Sequence, residues 1–261
     1  MPLNWTDMSC FSFNSLLLLD RCQLDWLPNW RLPEADLGTA LLANPAVTWY
    51  LTHKAPEISP WLEGVLTQGD SGANAEAVRA AEVRVMTAMQ DIIIYVTDPA
   101  IYAAQPFLDW EPSELTGLLD FHGKMVVDVG SGTGRQAFAV ASAVAWVYAV
   151  EPVANLRDYL RAEADRRGLR SFYVVDGLIT RLPFPDSTAD VTMGGHVFGD
   201  EPEAEISEME RVTRRGGWVI LCPGNNDVDD ERHAFLIKRG YSWSRFEEPR
   251  DGMKRKYWKR I

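Results

Sequence analysis

Residues Val126 to Arg135 read Val-Val-Asp-Val-Gly-Ser-Gly-Thr-Gly-Arg: a short β-branched run stops at three glycines spaced two apart, and a helix-forming stretch follows. Glycines at such a point let the chain turn sharply from strand to helix. They also carry backbone N–H groups against a ligand that a Cβ would hold off. One local fold, strand-loop-helix, is thereby tied to one task, the holding of a nucleotide-like ligand.

The rest of the chain from Lys124 onward repeats that theme. Val126 to Val129, Ala145 to Val150, Ser171 to Val175, Ala189 to Met193 and Trp218 to Cys222 are short apolar runs at the spacing of βα repeats. Helix candidates lie between them at Thr133 to Ala143, Ala154 to Arg167 and Glu203 to Thr213, the last running toward Gly216-Gly217 as a stop signal. This alternation predicts a parallel sheet covered by helices on both faces. After a helix over Asp230 to Lys238, two aromatic and charged strand candidates, Tyr241 to Glu247 and Met253 to Ile261, flank the turn Pro249-Arg250-Asp251-Gly252 and read as a hairpin closing one sheet edge. Lys254-Arg255-Lys256, with Lys259 and Arg260, then reads as a solvated edge strand protected by its charge.

Residues 1–118 lack the βα rhythm. Asn44-Pro45 and Ser59-Pro60 open helices that run to Leu51 and Leu66, and the longest helix candidate runs from about Asn74 to Val96, ended by Asp98-Pro99. Trp5, Trp26, Trp30, Trp49, Trp61 and Trp110 are dense here, as expected of a helical layer packed on a core. The segment offers either a substrate cap or an oligomer interface, with residues 119–261 as the ligand-binding core.

Composition narrows the partners. The formal net charge of −11 opposes phosphate backbones and anionic headgroups, which argues against nucleic acid and membrane surfaces. The apolar run Leu16 to Leu19 is too short to span a bilayer and has no basic residues before it, so the expectation is a cytoplasmic protein. Cys10, Cys22 and Cys222 are an odd set without CxxC spacing, and the four histidines are scattered, so neither a disulfide framework nor a metal site is expected.

Three acids close three successive strand candidates: Asp128 just before the glycines, Glu151 about 20 residues after the loop, and Asp176 followed by Gly177. Each alone could be a turn residue. Together they line one crevice suited to a cationic amino group, a ribose and an adenine. A dinucleotide-binding dehydrogenase would place its third glycine at position 135, where this chain has Arg135; the spacing here is GxGxG.

At this point the segment resembles a class I S-adenosylmethionine-dependent methyltransferase of the type 11 group. Val126 to Arg135 is similar to the family's first motif, Ala149-Val150-Glu151-Pro152 to its second and Val174-Val175-Asp176-Gly177 to its third. Leu182 to Ser187 leading to Ala189-Asp190-Val191 resembles the approach to strand four. Glu210-Arg211-Val212 with Arg215-Gly216-Gly217-Trp218 resembles the approach to strand five. The resemblance implies an α/β fold: a Rossmann-like, doubly wound, mostly parallel seven-stranded sheet with a C-terminal antiparallel hairpin, plus the N-terminal helical segment.

It also implies roles. Gly130, Ser131, Gly132 and Gly134 turn the chain around the methionine part of S-adenosylmethionine, and Asp128 fixes its amino group. Glu151, next to Pro152, holds the ribose hydroxyls, and Asp176 with the Gly177 and Leu178 backbone meets the adenine. Gly194 and His196 flank the methyl donor, and His196 is the candidate base. The expected activity is in-line methyl transfer to a small-molecule acceptor. The alternative is a protein that binds S-adenosylmethionine or S-adenosylhomocysteine to sense or scaffold without transfer.

Overall fold

In the computed structural model, which describes residues 5–249 and 252–261, the chain divides into two compact units between Tyr102 and Ala103. That division lies upstream of the 118/119 boundary expected from the sequence. Residues after 102 are held by the sheet: Trp110 and Leu115 share one buried cluster with Val126, Val147 and Ile220. Arg250 and Asp251 of the hairpin turn lie outside the described residues.

The first unit is helical. It contains α1 (Arg21–Trp26), α2 (Glu34–Ala43), α3 (Pro45–Lys54), α4 (Ser59–Gln68), α5 (Ala75–Ala88) and α6 (Gln90–Thr97), and α7 (Pro99–Ala103) runs to its end. Pro45 occupies the first position of α3, where a missing N–H costs nothing, and the Asn74 side chain caps α5 by accepting from the Ala77 N–H at 2.9 Å. The single long helix expected over 74–96 is two helices. Met89 leaves helical geometry at φ −124°, ψ 28°, and the chain beyond it buries Ile92, Ile93 and Ile94 together, which one stripe of a straight helix cannot do. Trp5 and Tyr95 both pack on Tyr102, at ring-centroid distances of 5.5 and 4.8 Å.

The second unit carries the sheet. Strands β1 (Met125–Val129), β2 (Trp146–Val150), β3 (Phe172–Val175), β4 (Ala189–Gly194), β5 (Thr213–Leu221), β6 (Ser242–Glu248) and β7 (Gly252–Arg260) lie in the order β3-β2-β1-β4-β5-β7-β6. The pairings from β3 to β5 are parallel, while β7 is antiparallel to both β5 and β6. After the short α8 (Ser113–Thr116), helices α9 (Arg135–Val140) and α10 (Ala154–Arg166) alternate with the first strands, followed by α11 (Pro202–Val212) and α12 (Glu231–Lys238). Alternate residues along β1 serve opposite faces. Val126 joins Ala137 and Leu160 of α9 and α10, whereas Val127 and Val129 join Val212 at the end of α11. The doubly wound, mostly parallel seven-stranded sheet with its C-terminal hairpin is the architecture expected.

Two local expectations are corrected. Gly216-Gly217 does not stop a helix: α11 ends at Val212 and β5 starts at Thr213, with Gly216 at φ +80° inside an irregular start of the strand. The basic run at 254–256 is not a solvated edge. β7 lies between β5 and β6, and Lys254, Arg255 and Lys256 are 5, 2 and 9% exposed. Each is paired at this low exposure: Lys254 with Glu248, Arg255 with Asp227 and Asp229, and Lys256 with Glu114.

Candidate functional site

The strand order reverses between β1 and β4, and the crevice beyond the C-terminal ends of such strands is where open α/β sheets bind ligands. In the ladder, Val129 pairs with Val150 on one side and Gly194 on the other, and Val150 pairs with Val175. Asp128, Glu151, Asp176 and Gly194 therefore stand on one rim.

The glycine loop is built as its sequence requires. Gly130, Gly132 and Gly134 have φ of +62°, +55° and +88°, a region that side chains with a Cβ rarely enter. A Cβ on Gly130 would also stand 2.3 Å from Cγ1 of Val197, so the turn after β4 rests directly on the loop. The loop is tied down from inside: Ser131 N–H donates to the Val150 carbonyl at 3.0 Å, and the Ser131 hydroxyl to the Asp128 carbonyl at 2.9 Å.

Asp128 is 1% exposed, and its Oδ2 has no hydrogen-bond partner among the described residues. Burial pushes its carboxyl up to about 7, against the opposing hydrogen bonds from Ser131 and the Ala137 N–H. Glu151, 4% exposed, is likewise pushed up to about 7 by burial. Its Oε2 accepts the Gly132 N–H and its Oε1 the Val153 N–H, both at 2.9 Å. This carboxylate braces the glycine loop against the entry to α10, and each oxygen keeps a lone pair for a further donor.

The third acid is set differently. The Asp176 side chain is 72% exposed and stands 3.3 Å from Arg157, whose Nη1 also donates to the carbonyls of Glu151 and Pro152. Gly177 is needed for space, since a Cβ there would lie 2.8 Å from both Pro183 and Val150. Leu178 is 42% exposed beside it, bridged to Arg181.

At the end of β4 the chain turns through Gly194, Gly195 and His196. A Cβ on Gly194 would meet Val197 at 2.7 Å. His196 sits at φ +58°, held there by its N–H on the Pro223 carbonyl at 3.0 Å, and its Nε2 is 2.8 Å from Oε1 of Glu248 on β6. The ring edge of Phe107 flanks it at 5.7 Å between centroids. Gln136 closes the space behind: a Cβ on Gly195 would fall 2.1 Å from its Nε2, and its buried Oε1 has no partner among the described residues.

Neither Gln136 nor Glu248 stands out in the sequence. Gln136 follows the glycine loop by two residues, so a polar side chain in the first turn of that helix was its one available signal. Glu248 lies 52 residues from His196, and only the hairpin's place in the sheet brings them together. Among the described residues no group of three or more His, Cys, Asp or Glu could hold a metal ion, and no helix is long and apolar enough to cross a membrane.

A buried carboxylate with a free oxygen, a loop of turned glycines and an exposed acid just past the third strand form a set of acceptors and backbone groups that fits a ligand carrying a cationic amino group and an adenosyl group. Residues 127–221 match the family model for a methyltransferase domain. A demethylmenaquinone methyltransferase of Geobacillus kaustophilus is 30% identical over 118 residues, covering 43% of this chain and 50% of that protein. An uncharacterized methyltransferase of Mycobacterium marinum is 35% identical over 101 residues, 38% of each. The chain spans about half the length, or less, of these curated relatives. A solved S-adenosylmethionine-dependent methyltransferase from Aquifex aeolicus aligns over 62% of this chain and 97% of its own at a TM-score of 0.49 and 20% identity. Residues 127–221 thus match a methyltransferase domain, and over that segment the chain resembles the class I S-adenosylmethionine-dependent methyltransferases.

Proposed function

We propose that this protein transfers a methyl group from S-adenosylmethionine to a small-molecule acceptor by in-line displacement. The observation that carries the reading is Asp128: a carboxylate 1% exposed at the rim beside the strand-order reversal, with one oxygen unpaired among the described residues. Burying such a group without a donor costs free energy, and a cationic ammonium is the donor that repays most. When bound, the cofactor supplies a methyl carbon activated by a sulfonium. The chain's own work is then to orient, to exclude water and to handle protons.

In this reading Asp128 holds the amino group, and Gly130, Ser131, Gly132 and Gly134 curve round the methionine part. Glu151 accepts the ribose hydroxyls on the lone pairs its backbone contacts leave, with Pro152 fixing the turn after it. Asp176 and the Gly177-Leu178 backbone meet the adenine, Gly194 flanks the methyl, and His196 receives a proton from the acceptor. A small acceptor is supported by the net charge of −11, which opposes phosphate backbones, and by the substrate named for the Geobacillus relative. Titration calorimetry tests the reading. Saturable binding of S-adenosylmethionine and S-adenosylhomocysteine, lost in Asp128→Ala, is expected; no binding of either at millimolar concentration overturns it.

A further inference from the structure

The candidate base at this site, His196, is held by a residue from the far end of the sheet. Glu248, at the end of β6, is fully buried, while the His196 side chain is 33% exposed. An ionised carboxylate can only accept, so the 2.8 Å contact places the imidazole proton on Nε2 and has it donate to Glu248 Oε1. His196 Nδ1 has no hydrogen-bond partner among the described residues. The other oxygen, Oε2, faces Lys254 Nζ at 3.3 Å, an ion pair rather than a well-formed hydrogen bond, and Lys254 also donates to Asn226 Oδ1 at 2.6 Å. Lys254, Glu248 and His196 thus form a line that begins inside the protein and ends at the turn resting on the glycine loop.

Two features show that this line is built rather than incidental. His196 occupies a positive φ that a non-glycine residue adopts at a cost, and such strain gathers where a side chain must be aimed. A surface histidine would not need a carboxylate taken wholly out of water, whose desolvation is repaid only by good partners.

We infer that Glu248 is the positioning residue of His196, and that the pair serves an acceptor with a hydroxyl proton to lose, a phenol, hydroquinone or enol, rather than a free amine. The inference rests on the methyl-transfer reading above. A free amine carries its own lone pair and needs no base before attack, whereas a neutral hydroxyl does. In the step assigned here the acceptor O–H bond breaks and its proton moves to Nδ1. The electron pair released, on oxygen or on the conjugated carbon, forms the new bond to the methyl carbon, and the pair of the broken carbon–sulfur bond stays on sulfur. Glu248 steadies the imidazolium until Nδ1 returns the proton to water.

The test uses the full chain labelled with 15N-histidine and saturated with S-adenosylhomocysteine. His196 is assigned from the signal lost in His196→Asn, a variant suited to the positive φ. A slowly exchanging, downfield proton bonded to Nε2 is expected in the wild type and is expected to move upfield or exchange away in Glu248→Gln. With 4-nitrocatechol as probe, the wild type should show the ionised catecholate band at a pH where the free probe is mainly protonated. That band should fall about tenfold or more in both variants, while calorimetry gives unchanged S-adenosylhomocysteine affinity in Glu248→Gln. A proton on Nδ1 in the wild type, or the same catecholate fraction in all three proteins, overturns the inference and leaves the methyl-transfer reading standing. Failure of the wild type to bind S-adenosylhomocysteine overturns that reading, and this inference with it.

Discussion

The Glu151 carboxylate, one residue past β2, accepts the Gly132 N–H from the loop after β1 at 2.9 Å, so the acid that ends one strand fixes the loop that follows its neighbour. The same carboxylate takes the Val153 N–H at 2.9 Å. Truncation in Glu151→Ala strands two inward backbone donors, each worth about 1–3 kcal/mol when left unpaired. Urea unfolding should therefore show a loss of about 2–6 kcal/mol. Glu151→Gln, which keeps one acceptor oxygen and sets its NH2 against the other backbone N–H, should lose about half of that or more while still weakening S-adenosylhomocysteine binding. Equal stabilities for wild type and alanine variant would show that the loop does not depend on this brace.

Burial raises both Asp128 and Glu151 to about 7, and this gives the pH dependence a definite sign. Between the ordinary carboxylate range and pH 7 the folded chain binds more protons at these sites than the unfolded chain does. Stability of the ligand-free protein from these two groups is thus fully present at about pH 4, falls by a few kcal/mol as pH rises to 7, and levels above it. Asp128→Asn removes one of the two charges and should flatten the slope, unfolding at a higher temperature than the wild type at pH 8. A cationic ligand group reverses the preference, so S-adenosylhomocysteine affinity should rise with pH up to about 7 and release protons on binding below it. Calorimetry in buffers of different ionisation enthalpy measures that release, and its absence would separate Asp128 from the ligand.

How much of the fold and site is legible in the sequence follows from the range of the interactions. The glycine loop, the strand ends and the hairpin are local patterns, and Asp128, Glu151 and Asp176 do stand on one rim because each ends a strand whose neighbour is fixed by βα topology. Chemistry at a distance was not legible. Glu248 meets His196 across 52 residues, and Lys256 meets Glu114 across 142. Composition also misleads where charge is buried in pairs: Lys254 to Lys256 read as solvent-facing, yet β7 is interior to the sheet. The break at Met89 was hidden because both flanking segments favour helix, and only the burial of Ile92 to Ile94 demands a change of direction.

The turn after β4 and the glycine loop should be separable by a pair of substitutions. Gly130→Ala places a methyl group 2.3 Å from Val197 Cγ1 at a φ of +62°, so it combines a steric clash with backbone strain. Together these should cost about 2–4 kcal/mol in thermal or urea unfolding. Adding Val197→Ala removes the clash and leaves the strain, so the double variant should recover about 1–2 kcal/mol over Gly130→Ala. Strict additivity of the two substitutions would mean that the loop and the turn do not touch.

Lys256 gives the sharpest contrast between an edge strand and an interior one. At an edge, its ammonium would lie in water and its removal would change stability by no more than about 0.5 kcal/mol. In this fold it is 9% exposed and donates to both the carbonyl and the carboxylate of Glu114, at 2.7 and 2.6 Å. Lys256→Ala therefore leaves a low-solvent acceptor pair without its donor and a gap along β7, for a loss of about 2–4 kcal/mol. Lys256→Met refills the space without restoring the donor and should recover part of that loss. Glu114→Gln keeps an acceptor for the ammonium while removing the opposing charge, so its cost should fall between those of Met and Ala at low salt and respond little to added salt, because partly buried pairs are weakly screened. Chemical denaturation of the three variants orders these outcomes. An alanine variant within about 0.5 kcal/mol of wild type would move β7 back to the solvent edge that its run of basic residues first suggested.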